Sequence, residues 1–464
     1  MKSFFVLLLT IVSAQTFAGD INWSGKYQIE SQLLKNPNLG KSEREYSYFN
    51  HHLVLNPHII AADGITIHSR FDIFNNSDYP NSQFGEFFGG SETPSEKKAA
   101  TGELESETLA VTELYLTWTQ QFGSLLAGRA PVQFGLGITH NAGNGEFDHW
   151  FDRKDLVGYK FVMGNMFFMP MYGKVNEGDA ETDDDIRDYM LHFGYENLDT
   201  DLEIGLFFQQ RKANPAGNDL ALPTPPTDIY NDSANTDGTS NYSVKTYNLY
   251  VKKKNGPFNV GIEASMQDGD TGLISVGTGE KIQIDAYAIA AELSYKPEGS
   301  KWDYDLKLGT ISGDDKNTSS TYEGYLVDRN YDIALLLFNY QLGSGTDTIG
   351  NENYIDETTG GKTKVDVGQL SNAMYFAPGF NWKWSDKWGM KGRFTYAQLS
   401  QERQAGQSKD LGYEIDFSIY YRPFERFVVQ MDTGYLMTGD AFKGAGTLEN
   451  DDAYGILTKA AISF

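Results

Sequence analysis

Apolar and polar side chains alternate with a period of two in segment after segment of this chain, up to its last residue. Leu114, Leu116 and Trp118 interleave with Glu113, Tyr115 and Thr117, and Leu202, Ile204, Leu206 and Phe208 with Asp201, Glu203 and Gln209. Trp302, Tyr304, Leu306 and Leu308 interleave with Asp303, Asp305 and Lys307, and Tyr413, Ile415, Phe417, Ile419 and Tyr421 with Glu414, Asp416 and Arg422. In the final segment Tyr454, Ile456, Thr458, Ala460, Ile462 and Phe464 share one face, opposite Ala453, Gly455, Lys459 and Ser463. Successive side chains of a strand point to opposite faces, so each segment reads as a strand with one apolar and one polar side.

The connections between these segments alternate in length. Short turns fall at 57–63, 120–123, 164–165, 197–200, 255–257, 297–300, 385–387 and 423–425. Longer polar connections fall at 34–45, 76–106, 134–155, 176–185, 213–241, 270–280, 314–370, 403–408 and 439–450. Eight short and nine longer connections in strict alternation require about eighteen antiparallel strands of about 8–17 residues, with both ends of the sheet on the short-turn side. The count holds if 159–175 is two strands hinged at Gly164-Asn165, and if the apolar run from Tyr331 to Tyr340 stays outside the sheet. A soluble β-propeller would need a blade repeat of about 40–50 residues, and none is found.

The opposite end of the chain carries Lys2, an apolar run over 4–12, and then Ser13, Ala14, Thr16 and Ala18. This is the pattern of a secretory signal peptide over 1–18, cleaved after Ala18, leaving 19–464 as the mature chain. The run is shorter than the roughly 20 residues a spanning helix needs, and no later stretch approaches that length. Cys is absent, aromatics make up 14% of residues and Gly numbers 48, a composition suited to strands with one lipid face and one wet face. Trp23, Phe122, Phe258, Trp302, Trp384, Trp388 and Phe427 lie beside the short turns, where an interfacial girdle belongs. Together these features give an all-β fold: a transmembrane, antiparallel, up-and-down β-barrel of about 18 strands.

A terminal strand closing on Phe464 resembles the assembly signal of Gram-negative outer-membrane β-barrels. That resemblance implies short periplasmic turns, long extracellular loops and an outer-membrane location after signal cleavage. It also implies outer-membrane lipids and lipopolysaccharide as surroundings, and the barrel assembly machinery as a partner of the C-terminal strand.

The formal charge is −25. A basic side chain facing lipid at mid-membrane would cost about 2–4 kcal/mol, so the polar rows belong to the lumen. Arg70, Glu113, Lys160, Asp303, Asp305, Lys383, Lys391 and Arg393 are therefore expected to face the lumen. Lys26, Arg211, Lys252 and Arg422 join them among the bases, and Glu30, Asp72, Glu203, Glu263, Glu414, Asp416 and Asp432 among the acids. The two signs are nearly balanced. The bases Arg70, Arg129, Lys160, Lys383, Lys391 and Arg393 are candidates to cluster on one wall, where a transverse field would orient dipolar solutes. The excess negative charge sits in the long connections, with Glu177, Asp179, Glu181, Asp183, Asp184 and Asp185 crowding one of them. Such carboxylates attract weakly bound divalent cations, but the turn Gly and late Glu of an EF-hand are missing, so neither a metal site nor a cofactor is expected. Nothing points to a nucleic-acid partner.

Gly128-Arg129-Ala130-Pro131 leads into a Gly-rich stretch, Phe134-Gly-Leu-Gly137 and Asn141-Ala-Gly-Asn-Gly145, and then into Glu146-Phe-Asp148 and His149-Trp-Phe-Asp152-Arg153. It lacks the Lys-Ser/Thr ending of a phosphate cradle. A strand ending in Gly-Arg-x-Pro before a Gly-rich charged loop resembles porin strands that feed an inward-folded third loop. On that resemblance 134–155 is a constriction loop, with Arg129, Glu146, Asp148, Asp152 and Arg153 as constriction residues; otherwise the loop caps the barrel from outside. The long connection 314–370 carries the apolar run Tyr331–Tyr340, which would be a plug helix, a lid or an extra strand. In architecture the chain looks like the 18-stranded substrate-specific porins and the alginate-export family. The resemblance implies a channel for passive diffusion of small hydrophilic solutes. Its alternatives are an exporter of an anionic polysaccharide and a nonconducting structural or adhesin barrel. No enzyme motif is present: none of the seven His residues sits in a nucleophile or zinc pattern.

Overall fold

The computed structural model describes residues 20–37, 39–40, 45–73, 109–176, 186–213, 241–274, 280–315, 318, 320–340, 342–343, 349–350, 369–402, 405–443 and 450–464. Eighteen strands form the wall: β1 (Ile21–Lys35), β2 (Glu45–Ala62), β3 (Ile65–Ile73), β4 (Leu109–Gln120), β5 (Gly123–Pro131), β6 (Arg153–Met163), β7 (Met166–Asn176), β8 (Ile186–Asn197), β9 (Leu202–Ala213), β10 (Tyr242–Asn255), β11 (Phe258–Ile274), β12 (Lys281–Tyr295), β13 (Trp302–Ile311), β14 (Ala373–Lys383), β15 (Trp388–Leu399), β16 (Asp410–Phe424), β17 (Phe427–Thr438) and β18 (Ala453–Ser463). Each pairs antiparallel with its neighbours in sequence, and β1 pairs with β18 from Lys26↔Ser463 to Lys35↔Tyr454, which closes the barrel. Closure removes the open edges that a sheet of this size would otherwise present. At the seam Phe464 donates its N–H to Gly25 O (3.0 Å) and accepts from Gly25 N (2.9 Å). A Cβ on Gly25 would stand 2.5 Å from the Phe464 ring, so the missing side chain makes room for the terminal aromatic.

The wall is inverted relative to a water-soluble protein. Trp23, Leu114, Met266 and Phe417 are among its exposed residues, whereas Gln28, His52, Glu263 and Glu414 are wholly buried. Leaving a large apolar side chain in water forfeits roughly 1.5–3 kcal/mol each, so an exterior of this kind belongs in hydrocarbon. On the short-turn side a run of rings circles part of the wall. Trp302 stacks on Trp382 (5.3 Å), Trp382 meets Trp384 (5.5 Å), Trp384 stacks on Trp388 (6.3 Å) and Trp388 contacts Tyr421 (4.5 Å). Among the described residues no helix is long and apolar enough to cross a membrane.

Both conditions on the strand count are met: β6 and β7 are separate strands hinged at Gly164-Asn165, and Tyr331–Tyr340 lies outside the sheet. One turn is displaced. The expected turn at 57–63 is strand up to Ala62, and the chain reverses at Asp63-Gly64. Gly64 takes φ +73°, and a Cβ there would sit 2.7 Å from Thr119 O. Pro57 misleads because it has no N–H for the ladder; here it stays in the strand opposite Trp23, and its carbonyl accepts from the Ser69 hydroxyl (3.1 Å). The signal segment, the connection 76–106 and the acidic cluster from Glu177 to Asp185 lie outside the described residues.

The apolar core is inside the barrel, where two long connections dock on the wall. Ala286, Ala288 and Ala290 are successive inward positions of β12, and with Ala377 and Ala397 they form a shallow bed. Tyr325, Ile333, Leu336, Leu337 and Phe338 from the seventh long connection pack in the same buried cluster as this bed. A second cluster joins Val132 and Phe134 of the third long connection to Leu156, Met190, Phe207 and Tyr250.

Candidate functional site: two loops held inside the lumen

The third long connection, L3 (132–152), leaves β5 and turns inward at once. Gly135, at φ +52°, bends the backbone so that successive amides converge on the Glu263 carboxylate of β11. Leu136 N donates at 2.6 Å, Gly137 N at 3.0 Å and Ile138 N at 3.4 Å, all to Oε2. A Cβ on Gly135 would lie 2.6 Å from that oxygen, so only glycine fits. Thr139 donates to Asn248 Oδ1 (2.9 Å), and His140 Nε2 pairs with Gln209 Oε1 (3.0 Å).

Further along, L3 meets the other arc of the wall. Lys26 Nζ of β1 donates to Gly145 O (2.8 Å). Arg422 of β16 grips both Glu146 oxygens (2.7 and 2.9 Å), and Lys459 of β18 lies over the Phe147 ring (4.9 Å). His149 pairs with Glu30 (2.7 Å). The loop therefore contacts the lumen wall on both sides of its root.

The seventh long connection, L7 (312–372), is held by the same device. Leu336 N and Leu337 N each donate at 2.6 Å to one oxygen of Glu414 on β16, and Leu335 N donates to Asp416 (3.3 Å). Tyr340 OH donates to Gln32 (2.6 Å), and Tyr325 OH to Ser265 (2.6 Å). The run Tyr331–Tyr340 is neither α-helix nor wall strand: it is a series of turns folded into the lumen. L7 also touches L3. Asp328 N donates to Ile138 O (2.9 Å), and Asn330 Nδ2 to Trp150 O (2.7 Å).

The Asp328 carboxyl meets that of Asp152 from L3. Burial, with the Asp152 carboxylate beside it, pushes Asp328 up to about 8. Burial pushes Asp152 up, but the bond and charge of His140, the Lys154 charge and the Asn141 amide together hold it below the usual carboxylate range. The Arg422 guanidinium lowers Glu146 in the same sense.

Of the expected constriction residues, Glu146 and Asp148 lie in the part of L3 that meets β1 and β16, and Asp148 accepts from Gly145 N (2.6 Å). Asp152 accepts from Asn141 N (3.1 Å). Arg153 is turned in under the loop, paired with Glu113 and donating to Ala142 O and Asp152 O (both 2.9 Å). Arg129 does not join them. It lies opposite Leu114 in the register, on the outer face, and makes a bidentate pair with Asp155 (2.8 Å twice) with half its side chain exposed. The strand register, which places Arg129 beside lipid-facing Leu114, cannot be read from the Gly-Arg-x-Pro pattern.

The inward bases do not gather on one wall. Arg70 grips Asp72 (2.9 Å twice), Lys383 pairs with Asp303 (3.1 Å) and Arg393 with Asp305 (2.6 Å). Lys160 lies over the Phe167 ring (4.1 Å) and Lys391 over Tyr420 (5.5 Å). The same strand or one close by supplies an opposite charge or a ring, so charge is neutralised locally rather than across the lumen. Among the described residues no group of His, Asp and Glu could hold a metal ion.

No protein-family model and no curated protein matches the sequence. Solved structures of similar shape include three from Pseudomonas aeruginosa. OpdQ and OccK9 (OpdG) each align with a TM-score of 0.53 at 10% identity, over 97% of this chain and 99% and 100% of theirs. OccK8 (OprE) aligns at 0.52 and 10% identity, over 97% of this chain and 99% of its own. The likeness runs the whole length of the chain and is one of fold: a closed, 18-stranded antiparallel barrel.

Proposed function

We propose that this chain is an outer-membrane channel through which small hydrophilic solutes diffuse passively. The observation that carries the reading is the inward folding of L3 and L7, each anchored by buried wall carboxylates, within a barrel whose exterior is apolar. Passage then depends on the space that the loops leave beside Glu146, Asp148, Lys26, Lys391 and Arg422. Asp152 and Arg153 hold the root of L3; Arg70, Glu113, Asp303, Asp305, Lys383 and Arg393 line the approach as paired charges, and Lys160 lines it over the Phe167 ring. Local pairing of both signs suits neutral or zwitterionic solutes better than a polyanion, which would call for an unbroken basic belt. The channel carries out no chemical step and needs no cofactor.

The same reading includes export by way of residues 1–18, assembly through the C-terminal strand, and weak divalent-cation binding at the acidic connection after β7. Planar-bilayer recording of the refolded mature chain tests the channel. Discrete conductance steps, with modest ion selectivity in asymmetric salt, are expected. A correctly folded protein giving no steps would rule the channel out in favour of a structural barrel.

A further inference from the structure

The outer wall carries a horizontal row of charge that the lumen does not use. By register Arg129 lies opposite Asp155, Asp155 opposite Lys174, Lys174 opposite Arg187, and Arg187 opposite Lys212. Cross-strand partners share a face, and Arg129 and Asp155 are half-exposed on the outside, so the whole row across β5–β9 points outward. Four bases and one acid give it a net charge of +3, against −25 for the chain.

Two residues toward the short turns, the same strands present Val157, Tyr172 and Tyr189, all exposed, with the two tyrosine rings 5.4 Å apart. Lys212 Nζ reaches over the Tyr189 ring at 5.8 Å. The row therefore sits at the upper edge of the apolar band. Asp155 is eight positions before Met163, the turn end of β6; at a rise of about 3.3 Å and a tilt of about 40° this is roughly 20 Å along the membrane normal, near the height of the lipid band. A cavity of about 430 Å³ opens on the same rim, bordered by Arg129, Asp155 and Lys174 and also by Lys154 and Arg211. Farther round the wall the sign reverses, with Asp268 opposite Asp285 on β11 and β12.

We infer that this row is a binding site for the phosphates of an outer-leaflet glycolipid of the lipid A type, with the tyrosines below it against the acyl chains. The inference rests on the outer-membrane reading above. Basic side chains at a bilayer surface attract anionic headgroups, Arg binds phosphate in a bidentate fashion, and tyrosine suits the interface below. Within the described wall, the basic row places that attraction on one sector.

The test uses the folded chain in neutral detergent micelles, titrated with bis-phosphorylated lipid A and followed by native mass spectrometry. Changing Lys174, Arg187 and Lys212 together to Ala should weaken binding about 100-fold, at about fivefold per residue. Lipid A stripped of its phosphates should bind the native chain as poorly as the phosphorylated form binds the triple variant. If the triple variant does not fold, Lys212→Ala alone should still show the fivefold loss. Equal binding by native and variant chains, or of the two lipids, would overturn the site. Full displacement by millimolar inorganic phosphate would overturn the lipid as its ligand. Native oligomers that the triple variant converts to monomers would instead make the row a subunit contact, and overturn it too. Bilayer conductance is recorded in parallel: binding without conductance would count against the channel alone, and conductance without binding against this site alone.

Discussion

Replacing Glu263 by Ala should release L3 from the wall. The substitution removes the acceptor of two amides at 2.6 and 3.0 Å and of a third, longer contact at 3.4 Å. A buried donor left without a partner costs about 1–3 kcal/mol. Water entering the vacated space recovers part of this, leaving about 2–4 kcal/mol of lost docking for the group. That is a factor of roughly 30–1,000 in the ratio of docked to undocked L3. Single-channel recording reads it directly: brief high-conductance substates should become more frequent by a similar factor. Glu203→Ala is the control, because Glu203 pairs with Lys252 on the wall. A folded Glu263→Ala barrel with the native conductance and the native noise would refute the idea that this carboxylate fastens the loop.

Three further outcomes follow from the same geometry. The Asp328 carboxyl titrates near 3.8 when exposed and about 8 in place, so between those values the undocked loop binds fewer protons than the docked one. Docking of L7 on L3 therefore weakens as pH rises through that window and levels off above it; substates should be more frequent at pH 8.5 than at pH 5.5, and Asp328→Asn should flatten the profile. Glu146→Gln frees the Arg422 guanidinium beside Lys391, so reversal potentials in asymmetric salt should move toward the anion. Stability should change by no more than about 1 kcal/mol, because that pair is partly exposed. Arg129→Ala should leave reversal potentials unchanged, since this side chain is on the outer face; a shift as large as that of Glu146→Gln would contradict its placement.

How far the sequence carries depends on the range of the interaction. Strand faces and the short turns were legible because alternation and turn chemistry are local: Gly164-Asn165 marks the hinge between β6 and β7 without any knowledge of the fold. Pro57 misled for an equally local reason, since a residue with no N–H for the ladder reads as a break until Trp23 is seen paired opposite it. Glu263 and Glu414 could be sorted to the lumen by parity. Their use as anchors could not be read, because the amides they accept from lie 125–127 and 77–78 positions away. The alanines of β12 were a missed signal: three small residues at successive inward positions leave space that something must fill. Arg129 shows the opposite error, a local pattern read as a site although the register turns it toward lipid.

The most direct test of the central claim is single-channel conductance of the native barrel beside a variant lacking residues 328–343, the part of L7 that carries the Asp328 contact and the segment seated on Glu414. Discrete steps in the native protein, and larger ones in the variant, are predicted if the loop narrows an aqueous path. Equal steps in two properly folded barrels would mean that L7 does not limit passage, and silence from both would mean that the lumen is not a channel.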